Sequence, residues 1–217
     1  MLAAALATAA VASTAETLRC TAGTVTAVAD DPALAQRICR HSETALAAFA
    51  ACDFPALAAV TITAVTKTER GCLGLYHCGI DRIDVLTPEA MQAMRASDSI
   101  FREVPIGPFF ASVIRHELSH ALYDRTPCPY GDCLATSEYF AYTQQIAGLP
   151  EAHRHRIEAR QTPDEPGNRA SVSAIMLMMN PNRFALNAWT HLSARGDACA
   201  YSRQILDGTV LFDRPHP

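Results

Sequence analysis

The stretch FFASVIRHELSHALY, residues 109–123, predicts the helix around which the rest of this 217-residue chain is organised. Its apolar residues recur with the spacing of a helical face, and neither proline nor glycine interrupts residues 109–124. The stretch therefore predicts an α-helix of about four turns. This helix carries the pattern HExxH, which runs from His116 to His120.

The HExxH pattern suggests a metal site. His116 and His120 are four residues apart, so on a helix both imidazoles project from one face and can reach a single ion. Glu117 lies one step round the helix, where a carboxylate can act as general base on a water beside the ion. The alternative is a buried helix whose histidines are only hydrogen-bonded.

A catalytic zinc needs a third protein ligand and an open position. Asp124 lies roughly 6 Å past His120 along the helix, too far from an ion between the histidines. The longer motif with a third histidine six residues after His120 is excluded, because that position is Thr126. A second helix, predicted over residues 133–147, offers Glu138, its only carboxylate after Asp132.

Glu138 falls on a mostly apolar face of that second helix. The face is shared with Leu134, Ala141, Tyr142 and Gln145. An isolated acid on such a face needs a partner, and a metal ion is one. The alternative is that Glu138 is exposed to solvent or paired with an arginine.

HExxH followed by a helix with glutamate, then aromatic residues and alanine, resembles the gluzincin branch of the zincin metallopeptidases. The short spacer and small size resemble its single-domain, minigluzincin-like members and related uncharacterised bacterial families. The resemblance covers about residues 109–147. It implies that His116, His120 and Glu138 bind Zn²⁺, and that Glu117 is the catalytic base.

The resemblance also implies an activity, the hydrolysis of peptide bonds in a peptide or protein substrate. Glu117 would take a proton from water and return it to the leaving amine. The strand nearest the active-site helix, expected at Arg82–Leu86, would pair with the substrate. A further side chain should stabilise the oxyanion, and the candidates are Tyr123, Tyr139, Tyr142, His191 and Tyr201.

The chain departs from the gluzincin pattern in three ways. Seventeen residues separate His120 from Glu138, a short spacer, and Tyr139 follows Glu138 where glycine is frequent. Tyr142 stands where larger relatives have an acidic residue that holds a zinc-bound histidine. Support for the histidines is therefore expected from other residues.

Composition predicts one globular domain over residues 16–217. The chain is 49% apolar and 18% charged with a net charge of −4, and no basic stripe suggests nucleic-acid binding. The sequence contains no run of eighteen apolar residues, so it does not predict stable membrane insertion.

Residues 1–15 are alanine-rich and uncharged and resemble a signal peptide, although no lysine or arginine follows Met1. An alanine-rich helix is the alternative. Nothing in the sequence predicts an oligomeric state.

Eight cysteines predict disulfides and export to a periplasm or the extracellular space. Two short loops are expected to close, one between Cys72 and Cys78 and one between Cys128 and Cys133. A structural zinc site using Cys72, His77 and Cys78 is the alternative for the first pair. The other four can pair in three ways, and these are Cys20, Cys39, Cys52 and Cys199.

The predicted fold class is α+β, with a zincin-like arrangement stabilised by disulfides. Asp31 and Pro32 begin a helix that continues to about Ala51. Three extended segments follow and predict a small antiparallel or mixed sheet, at residues 59–65, 72–77 and 82–86. This sheet should pack on the HExxH helix and the Glu138 helix, and the C-terminal part should be helical.

Three hypotheses follow. The leading one is an exported zinc metallopeptidase. The second is a secreted zinc-binding module without catalysis, in which zinc and disulfides hold the fold and Glu117 is a relic. The third is a structural disulfide domain in which HExxH has arisen by chance.

Overall fold

The computed structural model describes residues 15–160 and 169–214. These residues form one mixed sheet of five strands and eight α-helices, so the predicted α+β class is confirmed. Apart from Ala15, the expected signal peptide at residues 1–15 lies outside the described residues.

The sheet combines parallel and antiparallel pairs. Its strands are β1 (Glu16–Arg19), β2 (Val25–Ala29), β3 (Val60–Val65), β4 (Gly74–His77) and β5 (Arg82–Leu86). The spatial order is β1-β2-β3-β5-β4; β2, β3 and β5 run parallel, and β1 and β4 pair antiparallel at the two edges. Because β5 lies between β3 and β4, the expectation that Arg82–Leu86 is a free edge is wrong. The free edge next to β5 belongs to β4.

The helices follow the predicted pattern over most of the chain. They are α1 (Pro32–Ala51), α2 (Pro88–Met94), α3 (Ile106–Tyr123), α4 (Leu134–Ala147), α5 (Glu151–Glu158), α6 (Ala174–Met179), α7 (Pro181–Ser193) and α8 (Ala198–Leu206), with a short 3-10 helix at Arg169–Val172. α1 begins as expected, because the Asp31 side chain accepts a hydrogen bond from the Ala33 backbone N–H. Helix α1 connects the parallel strands β2 and β3.

Helix α3, which carries HExxH, packs against α1, α2, α4 and strand β4. It is buried on most of its circumference, and Phe110, Ile114 and Leu118 are fully inaccessible to solvent. Helices that are apolar nearly all round belong in the interior. The surroundings therefore fix the position of α3, and only one stripe of it faces an open cleft.

Three disulfides connect the described elements. Cys128–Cys133 closes the loop between α3 and α4, which confirms that prediction. Cys20–Cys39 ties the β1–β2 connection to α1, and Cys52–Cys199 ties the end of α1 to α8, which settles one of the three possible pairings. Such bonds are typical of proteins in oxidising compartments. Among the described residues, no helix has the length and apolar character needed to cross a bilayer.

The disulfide expected between Cys72 and Cys78 is wrong, because both cysteines are free. The two residues flank β4, whose extended backbone advances about 3.3 Å per residue. Two Cα atoms more than about 7 Å apart cannot be bridged without movement of the backbone. The same strand that separates the two thiols is the one that lines the cleft along α3.

Candidate metal centre

The three side chains proposed as metal ligands converge between α3 and α4. The Nε2 atoms of His116 and His120 lie 3.1 Å apart. The Glu138 carboxylate places one oxygen 3.6 Å from Nε2 of His116 and its other oxygen 3.6 Å from Nε2 of His120. One ligand atom from each residue falls within 4.8 Å of the others.

These separations suit a small cation held by nitrogen and oxygen. Zinc takes imidazole nitrogen and carboxylate oxygen at about 2.0–2.2 Å, so neighbouring ligand atoms in a tetrahedral site lie about 3.3–3.5 Å apart. The Nε2–Nε2 distance of 3.1 Å and the two Nε2–oxygen distances of 3.6 Å, which involve different oxygens of Glu138, are close to this spacing. The donor set and its geometry therefore fit a zinc ion without rearrangement of the backbone.

Hydrogen bonds to the far side of each imidazole orient the histidines. Nδ1 of His116 lies 3.1 Å from Oε1 of Gln145, and Nδ1 of His120 lies 2.8 Å from Oγ of Ser137. Oε1 of Gln145 can only accept, so Nδ1 of His116 carries the proton and its Nε2 presents a lone pair. Ser137 can accept in the same way from His120. Two nitrogen lone pairs and a carboxylate then face one another, an arrangement that a cation stabilises.

Gln145 and Ser137 orient the two histidines, a role for which Tyr142 offers no acidic group. Gln145 follows Glu138 by seven residues, two turns of α4, and so shares its face. Ser137 immediately precedes Glu138 in the same helix. The periodicity of α4 placed Gln145 on the correct face, but only the packing of α4 against α3 shows that it contacts His116.

Glu117 lies beside the candidate metal centre in a nearly enclosed position. Its side chain is buried, and its Oε2 accepts a hydrogen bond of 2.9 Å from the Tyr76 backbone N–H in β4. Burial, together with the nearby Glu138 carboxylate, raises the pKa of Glu117 to about 8, against the lowering effect of the Tyr76 bond. Burial and the neighbouring His120 hold the pKa of His116 well below its usual range.

The structure narrows the candidates for an oxyanion donor. The Tyr139 hydroxyl lies in the interior, 2.8 Å from Nδ1 of His191, and Tyr201 packs against that same histidine. None of these three residues lines the cleft. Tyr123 and Tyr142 do line it. Tyr142 is the better placed, because its ring centroid lies 4.8 Å from that of His116.

A cleft of about 980 Å³ runs along the open stripe of α3. Residues at intervals of three or four line it, namely Phe109, Val113, His116, His120 and Asp124. From Phe109 to Asp124 the helix advances about 22 Å, with the metal centre near the middle. Strand β4 and residues 70–73 form part of the facing wall, together with the disulfide-closed loop at Cys128–Cys133.

Fold and site together define an α+β protein with a candidate metal centre of two histidines and one glutamate beside a buried glutamate. The chain belongs to the family described as Family of unknown function (DUF6639), which it matches over residues 25–215. No curated protein and no solved structure matches the chain significantly.

Proposed function

We propose that this protein is an exported zinc-dependent metallopeptidase with a zincin-like site. The observation that carries the proposal is the convergence of His116, His120 and Glu138 on one point in a long cleft, with the Glu117 carboxylate alongside. This combination supplies a metal site, a base and space for an extended chain, which are the parts that peptide hydrolysis requires.

His116, His120 and Glu138 would hold the ion. When bound, zinc supplies Lewis-acid chemistry, which lowers the pKa of water toward neutrality and polarises a carbonyl group. Glu117 serves as the base. A cation nearby favours the charged form of the Glu117 carboxyl group and therefore lowers its raised pKa. The carboxyl group is then deprotonated at neutral pH and can accept a proton. Glu117 then returns that proton to the leaving amine.

Two further elements complete the proposed site. Tyr142 lines the cleft beside His116, and its hydroxyl would donate to the oxygen that gains negative charge during attack. Strand β4 is an edge strand and lines the cleft, so a substrate backbone can pair with the groups of its free edge other than the Tyr76 N–H, which Glu117 occupies. The three disulfides support a periplasmic or extracellular location.

The decisive experiment compares the wild-type protein with Glu117→Gln, both purified with disulfides intact and loaded with zinc. We expect one zinc per chain in both proteins and cleavage of a mixed peptide library by the wild type alone. Glutamine keeps the shape of the side chain but cannot take the proton, so the loss belongs to chemistry and not to metal binding. Absence of zinc from the wild type would contradict the metal site itself.

A second candidate is a zinc-binding module without catalytic activity. One observation favours it: the ligands come from two helices, α3 and α4, so an ion at this point would cross-link two packed elements. In that case both proteins hold zinc, neither cleaves any peptide, and removal of the metal by a chelator lowers the thermal unfolding midpoint of both.

A further inference from the structure

Arg95 occupies one end of the same cleft. It caps the C-terminus of α2 and lines the cavity together with Phe101 and Phe109. Its guanidinium carbon lies 5.0 Å from the centroid of the Phe109 ring. Phe109 precedes His116 by seven residues, so this end of the cleft lies about 10 Å from the metal centre along α3.

Among the residues that the structure describes, the positive charge of Arg95 has only neutral partners. Its Nη1 donates to the backbone oxygens of Val104 and Phe101, at 2.5 and 3.4 Å, and its Nη2 donates to Oε1 of Gln92 at 2.8 Å. No carboxylate among the described residues forms an ion pair with it. A half-buried arginine held by carbonyl groups and an aromatic ring is fixed in place, and its charge remains available to a ligand.

The guanidinium also retains free donors. Arginine has five N–H groups, and the three hydrogen bonds above use three of them. The Nε–H and one Nη2–H form none of these hydrogen bonds, so they remain available to a carboxylate. The opposite end of the cleft carries Asp124 and Asp132 together with Arg70.

We infer that Arg95 forms a subsite for a carboxylate of the substrate, about three residues from the bond that is cleaved. This inference rests on the proposed peptidase function and names its substrate class. An extended peptide advances about 3.3 Å per residue, so a span of about 10 Å corresponds to three residues. The carboxylate is either the C-terminal group of a peptide or the side chain of an aspartate or glutamate at that distance.

Three sets of blocked hexapeptides with the same neutral residues test the inference. One set ends in a free carboxylate, one in an amide, and one in an amide with a single glutamate placed at each position in turn. We expect the zinc-loaded wild type to prefer one of the carboxylate-bearing sets by about 10- to 100-fold in kcat/KM, the usual worth of a charged hydrogen-bond pair. The preferred set identifies the source of the carboxylate. Equal rates for all three sets overturn the inference and leave the peptidase proposal standing.

Variants then assign the preference to Arg95. In Arg95→Gln the ratio of rates for the carboxylate and amide peptides should fall to about one, and Arg95→Lys should restore part of it. Arg102→Gln is the matched control, since Arg102 lies in the same connection but is exposed, pairs with Glu103 and does not line the cleft. A preference that survives in Arg95→Gln overturns the assignment. Because the peptide comparison uses the wild type, misfolding of a variant cannot conceal the answer.

Failure of the peptidase proposal has a different signature. If the zinc-loaded wild type cleaves none of the peptides, their dissociation constants for that protein are measured instead. Tighter binding of a carboxylate-bearing set by about 10-fold or more, lost in Arg95→Gln, supports the subsite without catalysis. Equal or undetectable binding of all three sets overturns it.

Discussion

Gly74 in β4 lies directly against the Glu117 side chain in α3. A Cβ atom added to Gly74 would come within 2.6 Å of Oε1 and 2.7 Å of Cγ of Glu117. Two residues further along, the Tyr76 backbone N–H binds the other carboxylate oxygen. The edge of β4 therefore sets the position of Glu117, the proposed base. Residue 74 has no room for a side chain.

Gly74→Ala should displace Glu117 while leaving the three metal ligands in place. We expect kcat to fall by about 100-fold, since a misplacement of about 1 Å at a reacting group has an effect of this size, and zinc content to be unchanged. Gly107→Ala is the control, because Gly107 lies in the first turn of the same helix with no atom within 4 Å of the added Cβ. Unchanged kcat in Gly74→Ala would show that Glu117 does not need its present position.

Loss of the hydrogen bonds behind the histidines should weaken zinc binding. For Gln145→Leu and Ser137→Ala we expect the zinc dissociation constant to rise by about 10- to 100-fold, because the partner of Nδ1 fixes the tautomer and orientation of each imidazole. Competition with a chromogenic chelator measures this. Gln144→Leu serves as control, since Gln144 bonds Arg115 and neither histidine.

Removal of the Tyr142 hydroxyl should slow the reaction without affecting the metal. We expect Tyr142→Phe to reduce kcat by about 100-fold, the usual effect of removing one oxyanion donor, with KM and zinc affinity little changed. Steady-state kinetics on one cleaved peptide decides this. If Tyr123→Phe shows the larger loss, the donor is Tyr123, the other tyrosine that lines the cleft.

In the metal-free protein, the contribution of Glu117 to stability should fall as pH rises from about 4.5 to 8. The pKa of Glu117 is about 8 in the folded chain and about 4.5 in the unfolded chain, so the unfolded chain loses its proton first. The contribution of this group is fully present below pH 4.5 and is lost as pH rises through 8. Glu117→Gln removes the effect and should be more stable than the wild type at pH 8 by a few kcal/mol.

Urea unfolding of both metal-free proteins at pH 5 and pH 8 measures that difference. The comparison between variant and wild type matters here, because the lowered pKa of His116 gives the opposite trend in both proteins. A wild-type protein that equals Glu117→Gln in stability at both pH values would show that Glu117 is not held in an environment that disfavours its charge.

Two free thiols should be detectable among the eight cysteines of the folded protein. Cys78 is exposed and should react with a thiol reagent before Cys72, which is half-buried. Burial raises the pKa of both thiols, so both reactions should be slow at pH 7 and accelerate as pH rises. A native protein with no reactive thiol would show that the predicted disulfide between Cys72 and Cys78 is present. Cys78→Ser should leave one reactive thiol, which identifies the two reacting residues.

Much of the fold follows from local pattern. The spacing of apolar residues and the Asp31–Pro32 start predict α1, and the same reasoning predicts α3, α4 and β5 closely. Helix α3 begins three residues earlier than expected, at Ile106, since glycine and proline are tolerated in a first turn whose N–H groups have no helical partner. The antiparallel edge strand β1 and its neighbour β2 are not among the predicted strands, because they are only four and five residues long and contain glutamate or alanine, which are depleted in strands.

For the site, the sequence by itself determined the candidate ligands, because the four-residue spacing of His116 and His120 is a property of any α-helix. It also indicated Glu138 as the acid on the next helix and Glu117 as the proposed base. Tertiary structure alone decided three other matters: the free state of Cys72 and Cys78, the contact between β4 and Glu117, and the position of Arg95 at the end of the cleft. Each of these depends on contacts between elements distant in sequence, and the packing of α3 against β4, α2 and α4 has no local signature in the chain.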